Sequence, residues 1–525
     1  MNDFIEIYDT TLRDGSQAEG ISFSVQDKIA IALKLDELGV NYVEGGWPGS
    51  NPKDIEFFSE IRKHKLAHAK ISAFGSTRYH KYASDRDPNL NELLKAETPV
   101  VTIFGKTWDL HVTHALGISL EENLDLIYDS VLFLKKHGRY VIFDAEHFFD
   151  GYKANSEYAV KALLAAKAGG ADDLCFADTN GGSLPHEVER IIEEVKPQIN
   201  MKFSIHAHND GDLAVANSIA AVTKGASGVQ GTINGYGERC GNANLCSIIP
   251  NLVIKMGKKA LSADKLQYLT HLSHFVSEIS NTNYNSRAPF VGESAFAHKG
   301  GIHVNAVQKL SKTYEHIEPE LVGNVRRILI SELAGKSNVI YKANKLGFDI
   351  SKDDSVSKKV VDLIKRLENE GYQFEAADAS FELVLRNHLE GLKPAFELNG
   401  FRVIVDNYSG TMESEATIKI KVGEDVEHAA SEGNGPVNAL DRALKKALSA
   451  FYPEIKDMHL ADYKVRAVNS TSGTAAKVRV LIESRDNDSR WTTIGVSENI
   501  IEASWRALVD GVNYKLLKEK LKKND

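Results

Sequence analysis

KFSIHAHND, residues 202–210, is a short β-favouring run that ends in two histidines. Residues i and i+2 of a strand face the same side, so His206 and His208 point together from its end. Working outward, similar apolar or β-branched runs recur from the first residues to about residue 256, alternating with amphipathic stretches. They are IEIY from Ile5, NYVEG from Asn41, KISAFG from Lys70, VVTIFG from Val100, YVIFDAE from Tyr140, DLCFADT from Asp173 and SGVQGT from Ser227. With KFSIHAH from Lys202 they make eight β/α units, the number that closes a parallel barrel in roughly 250 residues. The first helix between them is specified locally. Ser24 caps it with Asp27 in support, Ile29, Leu33 and Leu38 carry the helical spacing, and Gly39 ends it.

A barrel of this type places its active face at the C-terminal ends of the strands. The polar residues obey that rule: Asp14, Glu44, Glu146, Asp178 with Thr179, His206 with His208, then Asn234 and Asn242. A doubly wound open sheet would gather its ligand at one switch point, often behind a glycine-rich first turn, and DTTLRDG is not such a turn. The glycines of GYGERCGNAN fit neither the dinucleotide nor the P-loop pattern, so no nucleotide-binding fold is expected.

At 525 residues the chain exceeds one hydrophobic core, and further domains are expected. Residues 257–395 read as a mostly helical linker, interrupted by AFAHKGGIHVNAV, which does not look like ordinary helix surface. From about residue 396 an internal repeat is visible: FRVIVDN matches YKVRAVN, ATIKIKV matches AKVRVLI, and NALDRALKKAL matches EASWRALVDGV. The predicted fold class is thus α/β, a (β/α)8 TIM barrel over residues 1–256, the helical linker over 257–395, and a C-terminal α+β domain over 396–525 built from two halves. The repeat reads equally as a dimerisation domain or as an effector site between the halves.

Composition is that of a globular chain, 42% hydrophobic and 26% charged, with no run of the roughly 20 apolar residues a bilayer span needs. The start of the chain lacks signal-peptide character, so a cytoplasmic protein is expected. A net charge of −9 argues against a general nucleic-acid binder. Cys175, Cys240 and Cys246 form no CxxC pair and are read as reduced thiols.

Two imidazoles from one strand and a carboxylate from another, Asp14, make a ligand set of two histidines and one carboxylate with open positions, suited to a divalent cation acting as a Lewis acid. Arg13, beside Asp14, is suited to a developing enolate or carbonyl oxygen, or alternatively ties the loop to a carboxylate. Glu146 either braces Arg13 or a histidine, or handles protons at the mouth. Thr179 can bind a substrate carboxylate, and Asn242 can orient a metal ligand or bound water. Phe74, Phe104 and Phe143, near strand ends, either shrink a substrate pocket or belong to the core.

DTTLRDG, HAHND, GERCGN and GGIHVNAV, in this order over nearly the whole chain, resemble the α-isopropylmalate, homocitrate and citramalate synthases. EGGWPGSNPKD and DAEHFFDGY, with the paired C-terminal repeat, are most similar to the citramalate synthases of that group. The resemblance implies condensation of acetyl-CoA with pyruvate to (R)-citramalate and free CoA, in isoleucine biosynthesis. It implies Asp14, His206 and His208 as ligands of Mg, Mn, Zn or Co with Asn242 among the metal-site residues, Arg13 on the oxygen that gains charge, and Glu146 and Thr179 lining the keto-acid site. It also implies His303 as the base toward the acetyl methyl group, assisted by Tyr314, supplied across a homodimer, with isoleucine as a possible effector. Without the resemblance, His303 is a lone histidine in a glycine-rich loop. His298 is a near neighbour that fits less well, and Val304 departs from the acidic or amide residue frequent at that position. Alternatives are a larger 2-oxo acid as substrate, a metal-dependent carbon–carbon lyase, and a metabolite sensor on an inactive barrel.

Overall fold

Eight parallel strands, β1 (Glu6–Asp9), β2 (Tyr42–Gly46), β3 (Lys70–Ser76), β4 (Val100–Lys106), β5 (Tyr140–Glu146), β6 (Asp173–Asp178), β7 (Phe203–Ala207) and β8 (Gly228–Gly231), close in sequence order into a barrel, with Glu6 registered on Gly228 at the seam. In this computed structural model residues 3–329, 336–348, 350, 354–374, 377–408, 410–468 and 476–522 are described. They form two compact units, Met1–Phe296 with His316–Arg326, and Ala297–Glu315 with Arg327–Asp525.

Alternation along each strand sorts the barrel's residues. On β5, Val141, Phe143 and Ala145 point outward into a continuous core beneath the helices, whereas Ile142 points inward with Tyr8, Tyr42, Val100 and Cys175 to plug the lower lumen. Each fully buried large apolar side chain contributes about 1.5–3 kcal/mol. With that outer layer carrying the stability, the upper lumen is left to charged groups. The helices follow from their caps. In α1 (Val25–Leu38) the Ser24 hydroxyl accepts from the Asp27 N–H at 3.2 Å while the Asp27 carboxylate accepts from the Ser24 N–H at 2.8 Å, and Gly39 ends it at φ 96°. After β8, α2 (Leu269–Ile279) buries Leu269, Leu272 and Val276 in the barrel unit. Residues 316–326 return to the same unit, where Asn324 Nδ2 donates to the carbonyls of Phe290 and Gly292 at 2.9 Å.

In the second unit each C-terminal half is a three-stranded antiparallel meander followed by a helix. The first is β9 (Glu397–Tyr408), β10 (Thr411–Val422), β11 (Asp425–Gly433) and α3 (Pro436–Leu448); the second is β12 (His459–Ala467), β13 (Val478–Arg485), β14 (Arg490–Ser497) and α4 (Ile500–Lys522). Both halves feed one core, in which Ile418, Ile420, Leu440 and Leu444 join Val480, Ile482, Ala503 and Leu508. A second core unites Val360, Ile364, Phe374 and Phe381 with Ile494 and Val496. Cys175 and Cys246 are buried and Cys240 is exposed, all three as free thiols. Among the described residues no helix is long and apolar enough to cross a membrane.

Candidate active site

The turn after β1 is built by its own side chains. Buried Asp9 accepts from the Thr11 N–H at 2.9 Å and its hydroxyl at 2.8 Å, and the N–H groups of Arg13 and Gly15 both return to the Thr10 carbonyl. This folds residues 10–15 over the lumen and directs Arg13 and Asp14 inward. There Asp14 Oδ2 lies 3.5 Å from His206 Nε2 and 3.8 Å from His208 Nε2, and the two nitrogens are 3.3 Å apart. All three residues are buried. Three donors about 2.1 Å from one ion stand roughly 3–3.5 Å from each other, so the arrangement fits a single divalent cation. Buried Asp14 Oδ1, His208 Nδ1 and Asn242 Oδ1 have no hydrogen-bond partner, and such orphans need an explanation that a bound ion or its water supplies.

Neighbours orient this set. His206 Nδ1 lies 3.1 Å from Gln230 Oε1, and donation there leaves Nε2 as the lone-pair nitrogen. The backbone of His208 bridges Asn242, and its N–H donates to the Asp178 carbonyl at 3.2 Å. Asn242 is thus brought beside His208. Burial opposes the charged form of Asp14, but Arg13 and then His206 hold its carboxyl well below the usual range. Burial and the neighbouring His206 push His208 down to about 3, leaving a neutral imidazole available as a ligand.

Arg13 is gripped by a residue that the sequence placed at a strand end without a role. Its Nε and Nη2 donate to the two oxygens of Glu44 at 3.0 and 3.2 Å, and Nη1 donates to Asp14 at 3.0 Å. Glu44 is fully buried and also accepts from the Thr10 hydroxyl. The guanidinium lies 3.7 Å over the ring of Phe74, which stacks on Phe104 at 5.5 Å with Trp47 edge-on to both. Phe74 and Phe104 therefore form an aromatic wall at the mouth. Phe143 does not join them. It points outward against Gly105, where an added Cβ would meet its ring at 2.7 Å, and it belongs to the outer core.

Glu146 braces neither Arg13 nor a histidine. Its carboxylate is ion-paired with Lys106 at the adjoining strand end, a cation the sequence reading did not single out. Thr179 stands at the mouth with its hydroxyl accepting from the His147 N–H at 2.8 Å, which leaves its own O–H free to donate. Asp144, inward on β5, is buried, and burial raises its carboxyl to about 6.

His303 and Tyr314 belong to the second unit, where their rings stack at 4.1 Å and both side chains are exposed. The glycine-rich stretch is not a loop at His303. Residues Gly301–Lys309 form a helix, with Gly300 and Gly301 at its start and Val304 fully buried beneath it. His298 is buried and paired with Glu315 at 3.0 Å, a structural role that leaves His303 as the accessible imidazole.

Family models match along the whole length: HMGL-like over residues 4–276, a homocitrate synthase post-HMGL domain over 290–372, and the LeuA allosteric (dimerisation) domain over 375–516. The (R)-citramalate synthase of Geobacter sulfurreducens is 56% identical over 516 residues, covering 98% of each chain. That of Aquifex aeolicus is 56% identical over 524 residues, covering 99% of each. The 2-isopropylmalate synthase of Methanocaldococcus jannaschii is 33% identical, over 98% of this chain and 95% of its own. With (R)-citramalate synthases 56% identical along 98–99% of both chains, the chain belongs to the citramalate synthase family.

Proposed function

We propose that this chain joins the acetyl methyl carbon of acetyl-CoA to the carbonyl carbon of pyruvate and hydrolyses the thioester, consuming one water and releasing (R)-citramalate and CoA. The observation that carries the reading is the union of Asp14, His206 and His208 with a clamped Arg13 and an aromatic wall at one barrel mouth. Asp14, His206 and His208, with Asn242 beside them, would hold a divalent ion (magnesium, manganese, zinc or cobalt) which, when bound, polarises the keto-acid carbonyl. Arg13 donates to the oxygen that gains charge as the carbon–carbon bond forms, a role worth roughly 10²–10³ in rate for one well-placed donor. The Thr179 hydroxyl donates to the substrate carboxylate. Phe74 and Phe104 face the methyl of pyruvate and leave little room for a branched chain. Glu146, held by Lys106, presents a fixed carboxylate beside the reacting groups.

In a homodimer His303 of the partner subunit takes the proton from the acetyl methyl group, and Tyr314 of the partner subunit holds that ring by stacking. We assign residues 1–256 to catalysis, 257–395 to the connection that carries His303, and 396–525 to dimerisation and regulation, with isoleucine bound between the two halves. The cytoplasm is the proposed compartment and isoleucine biosynthesis the pathway.

The test is CoA release by the purified full chain. Turnover is expected only with acetyl-CoA, pyruvate and a divalent cation together, and His208→Ala should lose both turnover and bound metal. Cleavage of citramalate without CoA would favour a lyase, and metal-independent turnover would overturn the site.

A further inference from the structure

Lys106 is the last residue of β4, at the end of the strand that faces the reacting groups of a barrel. Alternation puts its side chain on the same side as Thr102, which meets Tyr8 in the lumen, and Phe104, which belongs to the aromatic wall. Its ammonium is paired with Glu146 on β5 and lies 5.4 Å from the centre of the Phe104 ring. Both partners are largely withdrawn from water, with side chains 19% and 23% exposed. The aromatic wall thus carries a cation against each ring, Arg13 on Phe74 and Lys106 on Phe104.

Both cations belong to one chamber. Asp144, two residues before Glu146 on the same side of β5, is acted on by the charges of His206, Arg13, Glu44 and Glu146 together. Glu146, and Lys106 with it, therefore stands with the Asp-His-His group and not on an outer rim. An ammonium has three N–H groups, and a ring attracts its charge without consuming a particular one. With Glu146 opposite one of them, Lys106 keeps donors for a bound molecule.

The condensation puts charge on two oxygens. Arg13 is assigned to the keto oxygen and Thr179 to the substrate carboxylate, which leaves the thioester oxygen without a donor. That oxygen takes up the C–H electron pair when the acetyl methyl group loses its proton to the base. It gives the pair back as the carbon–carbon bond forms, and the keto oxygen, gaining charge, takes a proton to become the hydroxyl. Charge returns to the thioester oxygen when water adds to its carbon. The C–S bond then breaks with its pair on sulfur, which takes one proton of the water; the other is released with the new carboxylate.

We propose that Lys106 is the catalytic donor to the thioester oxygen of acetyl-CoA, stabilising first the enolate and then the oxyanion of hydrolysis. The inference rests on the condensation reading. Glu146 aims the ammonium into the chamber and balances its charge.

The experiment compares CoA release by the full-length parent with Lys106→Met, Lys106→Arg, Glu146→Gln and the double variant Lys106→Met/Glu146→Gln. Losing one well-placed donor costs roughly 10²–10³ in rate. Lys106→Met should lose this in kcat, with KM for pyruvate within about threefold of the parent. Its metal content and melting temperature should match the parent; if it does not fold, Lys106→Gln carries the same test. Lys106→Arg, which keeps a charge and donors, should regain part of the rate. The double variant should be at least about tenfold slower than Glu146→Gln alone, because Lys106 acts on substrate itself. A double variant equal to Glu146→Gln would make Lys106 a mere brace for that carboxylate and overturn the assignment. A raised KM for pyruvate at unchanged kcat would make it a keto-acid ligand, with the same consequence. A parent that releases no CoA sinks the condensation reading and this assignment with it, whereas an active parent with an equally active Lys106→Met sinks the assignment alone.

Discussion

Glu44→Ala removes the clamp on Arg13 without touching a proposed metal ligand. Glu44 is fully buried and supplies two of the three hydrogen bonds to the guanidinium, at 3.0 and 3.2 Å, the third coming from Asp14. Removing one partner of a buried charge pair costs about 3–5 kcal/mol, because the remaining charge stays desolvated. At roughly 2–4 °C per kcal/mol for a large domain, the barrel should melt about 6–20 °C lower. A guanidinium freed to move by about 1 Å should also cost on the order of 10² in kcat. Glu44→Gln keeps one acceptor and should lose less, about 1.5–3 kcal/mol. Calorimetry resolves the barrel transition and CoA release gives kcat, with metal content measured in parallel to show that the triad remains. A Glu44→Ala protein that melts within about 2 °C of the parent and keeps more than a third of its kcat would refute the reasoning.

Three further outcomes are expected. His303→Ala should lower kcat by roughly 10²–10⁴, the range for a general base, with an unchanged melting curve because the ring is exposed; full activity would remove it from the mechanism. Asp510 in α4, whose carboxyl burial raises from 3.8 to about 6 against the opposing bond from Ser380, gives stability that is fully present below about pH 4 and lost as the pH rises through 6. Asp510→Asn should therefore gain on the parent by about 1.4 kcal/mol between pH 5 and pH 7.5 in urea titrations, and a pH-independent difference would contradict this. Isoleucine at a hundred times its Kd should stabilise the second unit by about 2.7 kcal/mol and leave the barrel transition in place; calorimetry showing neither transition moving would exclude it as the effector.

What the sequence made legible was local. The eight strands were found within a residue or two because β-branched runs, caps and terminators are written in adjacent positions, as at Ser24, Asp27 and Gly39. The His206–His208 pair followed from strand periodicity alone, and Asp14 from its place after β1. The partners were not legible, because they come from distant strands whose inward alignment depends on register. Glu44 reaches Arg13 across 31 positions, Lys106 meets Glu146 because β4 and β5 pair in that register, and Gln230 faces His206 from β8. The third strand of each C-terminal half also escaped the repeat alignment, since β11 (DVEHAASEG) and β14 (RWTTIGVS) share little sequence. At His303, two glycines suggested a loop, but they only begin a helix whose inner face is anchored by Val304 and Val307.

The most direct test of the central claim is kcat/KM for CoA release with pyruvate, 2-oxoisovalerate and 2-oxoglutarate in turn, at saturating acetyl-CoA and divalent cation. A pocket walled by Phe74 and Phe104 discriminates by roughly 10–200-fold per methylene. Pyruvate should be preferred over both larger acids by at least about tenfold. Equal rates, or preference for either larger acid, would contradict it.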